Sequence, residues 1–140
     1  EMAGKVLPEA FTCFTLNLDN LSELTKRFGY TVGDGVLKDF AGLVQLMGDT
    51  EGMRGYNGVG RFVVFFEECS SKKAAAMIRI LDNQVEEYNS LNPEYPIRYT
   101  AAWATTEETD TYEIRELLRL SQKKWKQMEK EKKDKTEEET

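Results

Sequence analysis

The chain contains no histidine, only two cysteines and three prolines, and no long apolar run. Each shortage closes off a class of function. Without histidine a zinc site of the usual kind cannot be built, and Cys13 and Cys69 do not stand in a metal-ligand spacing. Both fall inside or beside predicted strands and read as reduced thiols of a cytosolic domain. No stretch approaches the ~20 apolar residues of a membrane span, and Glu1–Glu9 lacks the charged-then-apolar form of a signal peptide. The fragment therefore reads as soluble, with no membrane segment in this stretch, although a longer parent protein could carry an anchor. Basic residues are also in deficit, 19 Lys and Arg against 25 Asp and Glu, for a net charge of −6. Nonspecific nucleic-acid binding rests on lysines and arginines that neutralise phosphates, so nucleic acid is excluded as a general partner and only a local basic patch is left open.

What is present suits one domain: 140 residues, 40% of them hydrophobic, can fill a single core. The organising stretch is Tyr56–Phe66, Tyr-Asn-Gly-Val-Gly-Arg-Phe-Val-Val-Phe-Phe. Gly58 and Gly60 flank Val59, which allows positive φ at a tight turn, and predicts a hairpin between Met53–Asn57 and Arg61–Glu67. No polar residue interrupts Phe62–Phe66, which predicts a central strand covered on both faces. By itself Gly-x-Gly is a weak signal, and a plain β-hairpin outweighs a phosphate-binding role.

Before the hairpin, Phe11–Asp19 alternates as a strand, with Phe14, Leu16 and Leu18 on one side. Cys13, Thr15, Asn17 and Asp19 form the other side, and the last two could face a ligand. Leu21–Phe28 reads as a short helix entered through Asn20 or Ser22 and ended by Gly29. Thr31–Met47 carries Val36, Leu37, Phe40, Leu43, Val44 and Met47 at helical spacing, and Gly48 stops it. After the hairpin, Ser70 or Ser71 caps a helix whose stripe is Ala74, Met77, Ile78, Leu81, Val85 and Tyr88. It closes at Asn89–Pro96, a loop with two prolines. Ile97–Thr105 is a further strand, and Asp110 or Thr111 opens a last helix with Ile114, Leu117, Leu118, Ser121, Trp125 and Met128 on one side. Residues 1–10 are a lead segment, 11–128 the domain, and 129–140 a charged helix end or solvated tail. The order βααββαβα predicts an α+β sandwich, helices covering a mainly antiparallel sheet.

That order and three local phrases resemble the GGDEF domain, the nucleotidyl-cyclase, palm-like fold that makes cyclic di-GMP from GTP. Leu16-Asn17-Leu18-Asp19-Asn20-Leu21 resembles the family's Asp-x-Asp-x-Phe strand end. Phe28-Gly29-Tyr30-Thr31-Val32-Gly33-Asp34-Gly35-Val36-Leu37 resembles its Tyr-Gly-His-x-x-Gly-Asp-x-x-Leu helix entry. Gly58-Val59-Gly60-Arg61-Phe62 stands where the signature Gly-Gly-Asp-Glu-Phe belongs. The resemblance implies a metal held by carboxylates at the first strand end and in the hairpin turn, which here are Asn17 and Gly60. An amide and a hydrogen atom replace two acids, and Arg61 puts a permanent cation at the next signature position. Asp19 alone remains, so no metal and no cofactor are expected; magnesium enters only if activity is retained.

The resemblance also maps the guanine contacts onto Thr25 and Asp34, and a phosphate-contacting lysine onto Ser22. Asp34 keeps its chemistry, since a carboxylate can accept two hydrogen bonds from a guanine edge; Thr25 cannot offer an amide's paired donor and acceptor. The product-inhibition motif Arg-x-x-Asp is replaced by residues that include Asp49 and Gly52, and Lys123, Lys124 and Lys126 are the nearby candidates for a second phosphate-binding lysine. The expected function is a catalytically inactive regulatory or protein-interaction domain of a bacterial signalling protein, cytoplasmic, whose partners are other domains of the parent or a separate protein. The alternatives are a sensor that binds GTP or a related nucleotide without turnover, with Arg61 reaching the phosphates, and, last, an active diguanylate cyclase. Against a phosphate role, Arg61 also fits an ion pair with Asp19 or a solvated tip, and Asp34 also fits a helix N-terminus, where an acid meets the helix dipole. Working cyclases of the family pair two domains face to face; loss of catalysis removes that requirement and leaves homodimerisation open.

Overall fold

The strand β1 (Thr12–Leu18) is the spine on which the sheet is built, and the computed structural model describes residues 10–46, 53–56, 60–66, 69–108 and 113–139. Chain order is β1, α1 (Leu21–Phe28), α2 (Tyr30–Gln45), β2 (Met53–Tyr56), β3 (Arg61–Phe66), α3 (Ser71–Leu91), β4 (Tyr99–Thr105) and α4 (Ile114–Glu139), with a 3₁₀ turn at Thr106–Glu108. The sheet order is β2-β3-β1-β4 and every neighbouring pair is antiparallel. β1 and β3 are therefore interior strands, as the uninterrupted apolar run of β3 predicts, and β4 is an edge.

Alternation along β1 sorts the two sides of the sheet. Phe14, Leu16 and Leu18 enter the main core with Phe62 and Val64 of β3, Val36, Phe40 and Val44 of α2, and Ala74, Met77, Leu81 and Val85 of α3. Phe40 is the hinge of this core: its ring meets Phe62 edge-on at 5.6 Å and Tyr99 at 5.4 Å. On the opposite side Cys13 and Ala104 pack under Leu117, with Val63 and Phe65 against them. This second layer is α4, which contacts both β1 and β4. Small residues make the approach possible: Ala102 and Ala104 of β4 face the helix from the row positions beside Thr15 and Cys13.

Local signals explain the helix ends, with some corrections. Ser70 caps α3 by accepting the Lys73 N–H at 3.1 Å. Gly29, at φ 95°, ends α1 and starts α2, so the second helix begins at Tyr30 rather than Thr31. Asn20 occupies the N-cap position of α1 but makes no capping bond; its amide instead donates to the Pro96 carbonyl at 2.7 Å and accepts from the Arg98 N–H at 3.1 Å. α3 runs on to Leu91, past the predicted close at Asn89, because the Asn89 side chain brackets both polar backbone groups of Ile97 and ties the helix to the strand lead. β4 accordingly begins at Tyr99, not Ile97. The predicted stop at Gly48 and helix starts at Asp110 or Thr111 lie outside the described residues, as do Met47, Asp49, Gly52, Asn57, Gly58, Val59 and Glu67. Both cysteines are buried and free.

Candidate functional site

The register brings the first-strand and hairpin positions into a single lateral row. Asn17 is the Cα partner of Arg61 on β3 and of Thr100 on β4, so Arg61, Asn17 and Thr100 lie side by side across three strands. Gly60 closes the row at its β3 end, accepting the Leu18 N–H at 2.8 Å. Its φ of 88° is left-handed, and a Cβ there would stand 3.3 Å from Leu21 Cδ2 and 3.5 Å from Leu18 Cβ. Phe62, the last signature position, turns into the main core.

Asp19 follows the row and is fully engaged. Asn17 Nδ2 donates to its Oδ1 at 2.9 Å, and Thr100 Oγ1 donates to its Oδ2 at 2.5 Å. Lys132 of α4 reaches it, at 3.7 Å from Oδ2. Lys132 Nζ also donates to Thr100 Oγ1 at 2.7 Å and to the Tyr99 carbonyl at 2.9 Å. Arg61 does not adopt the solvated-tip arrangement: it is half-buried, with its guanidinium carbon 4.3 Å above the centre of the Trp125 ring. α4 thus packs over the polar row of β1 through Ser121 at Cys13 and Thr15, and reaches its end through Trp125 at Arg61 and Lys132 at Asp19.

This donor set does not fit magnesium, which needs near-octahedral oxygen ligands at about 2.0–2.1 Å. One carboxylate is present, already holding an amide, a hydroxyl and an ammonium. Among the described residues, no group of three or more His, Cys, Asp or Glu could hold a metal ion.

The remaining sequence candidates sit in a second group. Ser22 and Thr25 lie one turn apart on α1, Ser22 exposed and Thr25 half-buried. Thr25 packs on α2 where only glycine fits, since a Cβ on Gly33 would stand 2.3 Å from Thr25 Oγ1. Asp34 is past the first turn of α2, so the helix-terminus reading fails; its carboxylate pairs with Lys38 at 3.2 Å instead. Leu21 lies within 4 Å of both Gly33 and Gly60 positions and is the link between this group and the strand row. The lysine candidates disperse. Lys123 and Lys126 are exposed, whereas Lys124 bonds the Trp103 carbonyl at 3.2 Å and the Glu108 carboxylate, well along β4 from Asp19.

Thr100 and Lys132 are functional neighbours that sequence reasoning missed. The available signal was helical phase: Lys132 falls about two turns beyond Trp125 on the same face.

Under α4, Ser121 Oγ lies 2.8 Å from Thr15 Oγ1 and 3.5 Å from Cys13 Sγ. Burial pushes the Cys13 thiol up from 9.0 to about 11, with the Ser121 hydrogen bond opposing. Burial, then the Asp39 hydrogen bond and charge, raise Tyr88 from 10.0 to about 12. A folded value above the unfolded one gives stability that is whole below the unfolded pKa and is lost as pH rises through the folded pKa. Melting temperature should therefore be insensitive to these groups below pH 9.0 and fall between 9.0 and about 12, a trend that thermal melts across that range would check.

A family model described as "Diguanylate cyclase, GGDEF domain" matches residues 3–135. No curated protein matches the chain. Among solved structures, the active GGEEF domain of a diguanylate cyclase from Vibrio cholerae superposes with a TM-score of 0.77 at 19% identity, covering 88% of this chain and 78% of that one. An EAL/GGDEF domain protein from M. capsulatus gives 0.69 at 14% identity, over 88% and 80%. The GGDEF domain of DgcB from Caulobacter crescentus, solved in complex with c-di-GMP, gives 0.58 at 14% identity, over 69% and 59%. At these identities the likenesses establish the fold.

Proposed function

Because the chain belongs to the diguanylate cyclase GGDEF family, we propose that it is a non-catalytic member: a regulatory or protein-interaction domain of a larger bacterial signalling protein. One observation carries this reading. The row that should gather carboxylates for a metal instead presents Arg61, Asn17 and Thr100, and its surviving acid, Asp19, is neutralised by Lys132. Charge at this edge has changed sign, so nothing there would draw a divalent ion or offset a triphosphate through one. No cofactor belongs to the proposal. The partners it implies are neighbouring domains of the parent or a separate protein, with homodimerisation left open.

Incubation with GTP and magnesium or manganese, followed by mass spectrometry, should yield neither cyclic di-GMP nor a linear dinucleotide. Metal-dependent product that disappears in Asp19→Asn or Asp34→Ala would overturn the proposal.

A nucleotide sensor without turnover is the second reading, and it is favoured by the group on α1 and α2. Asp34 remains accessible in an exposed pair with Lys38, and Thr25 packs against Gly33, its neighbour in sequence. Arg61 would have to leave Trp125 to reach phosphates. Calorimetric titration with GTP, ATP and cyclic di-GMP, with and without magnesium, separates the readings: the interaction-domain reading gives no heat. GTP binding that survives magnesium removal and weakens in Asp34→Ala would establish the sensor.

A further inference from the structure

We propose that the Tyr99 carbonyl, Thr100 Oγ1 and Asp19 Oδ2 form a binding site for a primary ammonium group, which the chain fills in cis with Lys132. The proposal extends the non-catalytic reading of the edge, and its test uses no nucleotide, so the two can fail separately.

Three oxygens of different kinds converge on Lys132 Nζ: the carbonyl at 2.9 Å, the hydroxyl at 2.7 Å and the carboxylate at 3.7 Å. The carbonyl and hydroxyl separations suit N–H donation, the carboxylate stands at ion-pair range, and all three are far longer than magnesium–oxygen bonds of about 2.0–2.1 Å. The hydroxyl is oriented to accept. Thr100 Oγ1 gives its single proton to Asp19 Oδ2 at 2.5 Å, so its lone pairs must accept, and the ammonium supplies the donor. Lys132, Thr100 and Asp19 thereby form a polarised chain, and Asn17 orients the far carboxylate oxygen. An ammonium donor completes that relay.

The placement of Lys132 follows from α4. Ser121 sits at Thr15 and Trp125 at Arg61, and continuing the same helix face brings Lys132 to the end of β1. From Ser121 to Lys132 the helix advances roughly 16 Å, and the chain from Thr15 of β1 to Asp19 just beyond it advances roughly 13 Å. Helix and strand thus stay in step, and the ammonium pins the last contact. The site opens on a shallow depression of about 870 Å³ lined by Val85, Ile97, Arg98, Tyr99, Glu129 and Lys133, open enough for a small amine to enter once the lysine side chain is removed.

The test compares wild type with Lys132→Ala in thermal melts, in methylammonium chloride and in tetramethylammonium chloride at matched ionic strength. Loss of the lysine should lower the melting temperature by about 3–5 °C. Methylammonium should recover about half of that loss, while the bulky tetramethylammonium, which has no N–H, recovers none. Wild type should respond equally to the two salts, and adding Thr100→Val to Lys132→Ala should abolish the recovery. A Lys132→Ala melt within about 1 °C of wild type, or recovery that is absent or equal in the two salts, would overturn the proposal.

Discussion

Replacing Trp125 with alanine should destabilise the domain by about 3–5 kcal/mol, the range for deleting a large buried aromatic side chain. Trp125 is only 6% exposed and sits where α4 crosses the sheet. Its loss removes the apolar contact and also leaves the Arg61 guanidinium without the ring beneath it. Cation–π contact adds roughly 0.5–2 kcal/mol depending on desolvation. The indole N–H has no hydrogen-bond partner among the described residues, so Trp125→Phe sheds a buried unsatisfied donor while keeping a ring under Arg61. Urea denaturation should therefore separate the two variants clearly, with Trp125→Phe retaining most of the stability that Trp125→Ala loses. Equal losses would show that the ring's contact with Arg61 contributes nothing.

Phe40→Ala should cost a similar amount, about 3–5 kcal/mol, for a different reason. Phe40 is fully buried and bridges two strands through its contacts with Phe62 and Tyr99. Those residues immediately adjoin Arg61 and Thr100, so the core ring also fixes the relative height of the site row. Against a typical total of about 5–15 kcal/mol, the loss is a large fraction of the fold's stability. It should appear both as a lower urea midpoint and as a smaller protection factor at the amides of β3 and β4 in hydrogen exchange. Phe40→Leu, which keeps apolar volume but no ring, should fall between wild type and the alanine variant.

Much of this architecture is legible in the sequence because periodicity reports burial directly. The alternation of β1 sorts Phe14, Leu16 and Leu18 from Cys13, Thr15 and Asn17, and the structure divides them between two layers in the same way. The stripe of α3 likewise predicts its buried residues Ala74, Met77, Leu81 and Val85. Periodicity does not name partners. Trp125 reads as a core residue, which it is, but nothing local says that the group above it is Arg61. Lys132 lies in a run of charge with no apolar rhythm, and such runs are ordinarily solvated. Its role depends on α4 staying in phase with β1, a tertiary property. Asn20 shows the same limit: its cap position is readable, while its bonds to Pro96 and Arg98 come from a loop far along the chain.

The proposed loss of the metal site is the step on which the functional reading turns, and manganese binding followed by electron paramagnetic resonance addresses it without nucleotide or turnover. Titrated with the domain, the free-manganese signal should stay undiminished, and it should begin to fall only in a variant carrying Asn17→Asp, Gly60→Asp and Arg61→Glu together. The left-handed backbone at Gly60 will charge that variant roughly 1–2 kcal/mol of stability, so its folding is checked by circular dichroism alongside. Stoichiometric quenching of the signal by the wild-type domain would contradict the reading, because it would mean that Asn17, Asp19 and their neighbours hold a divalent ion despite the cations around them.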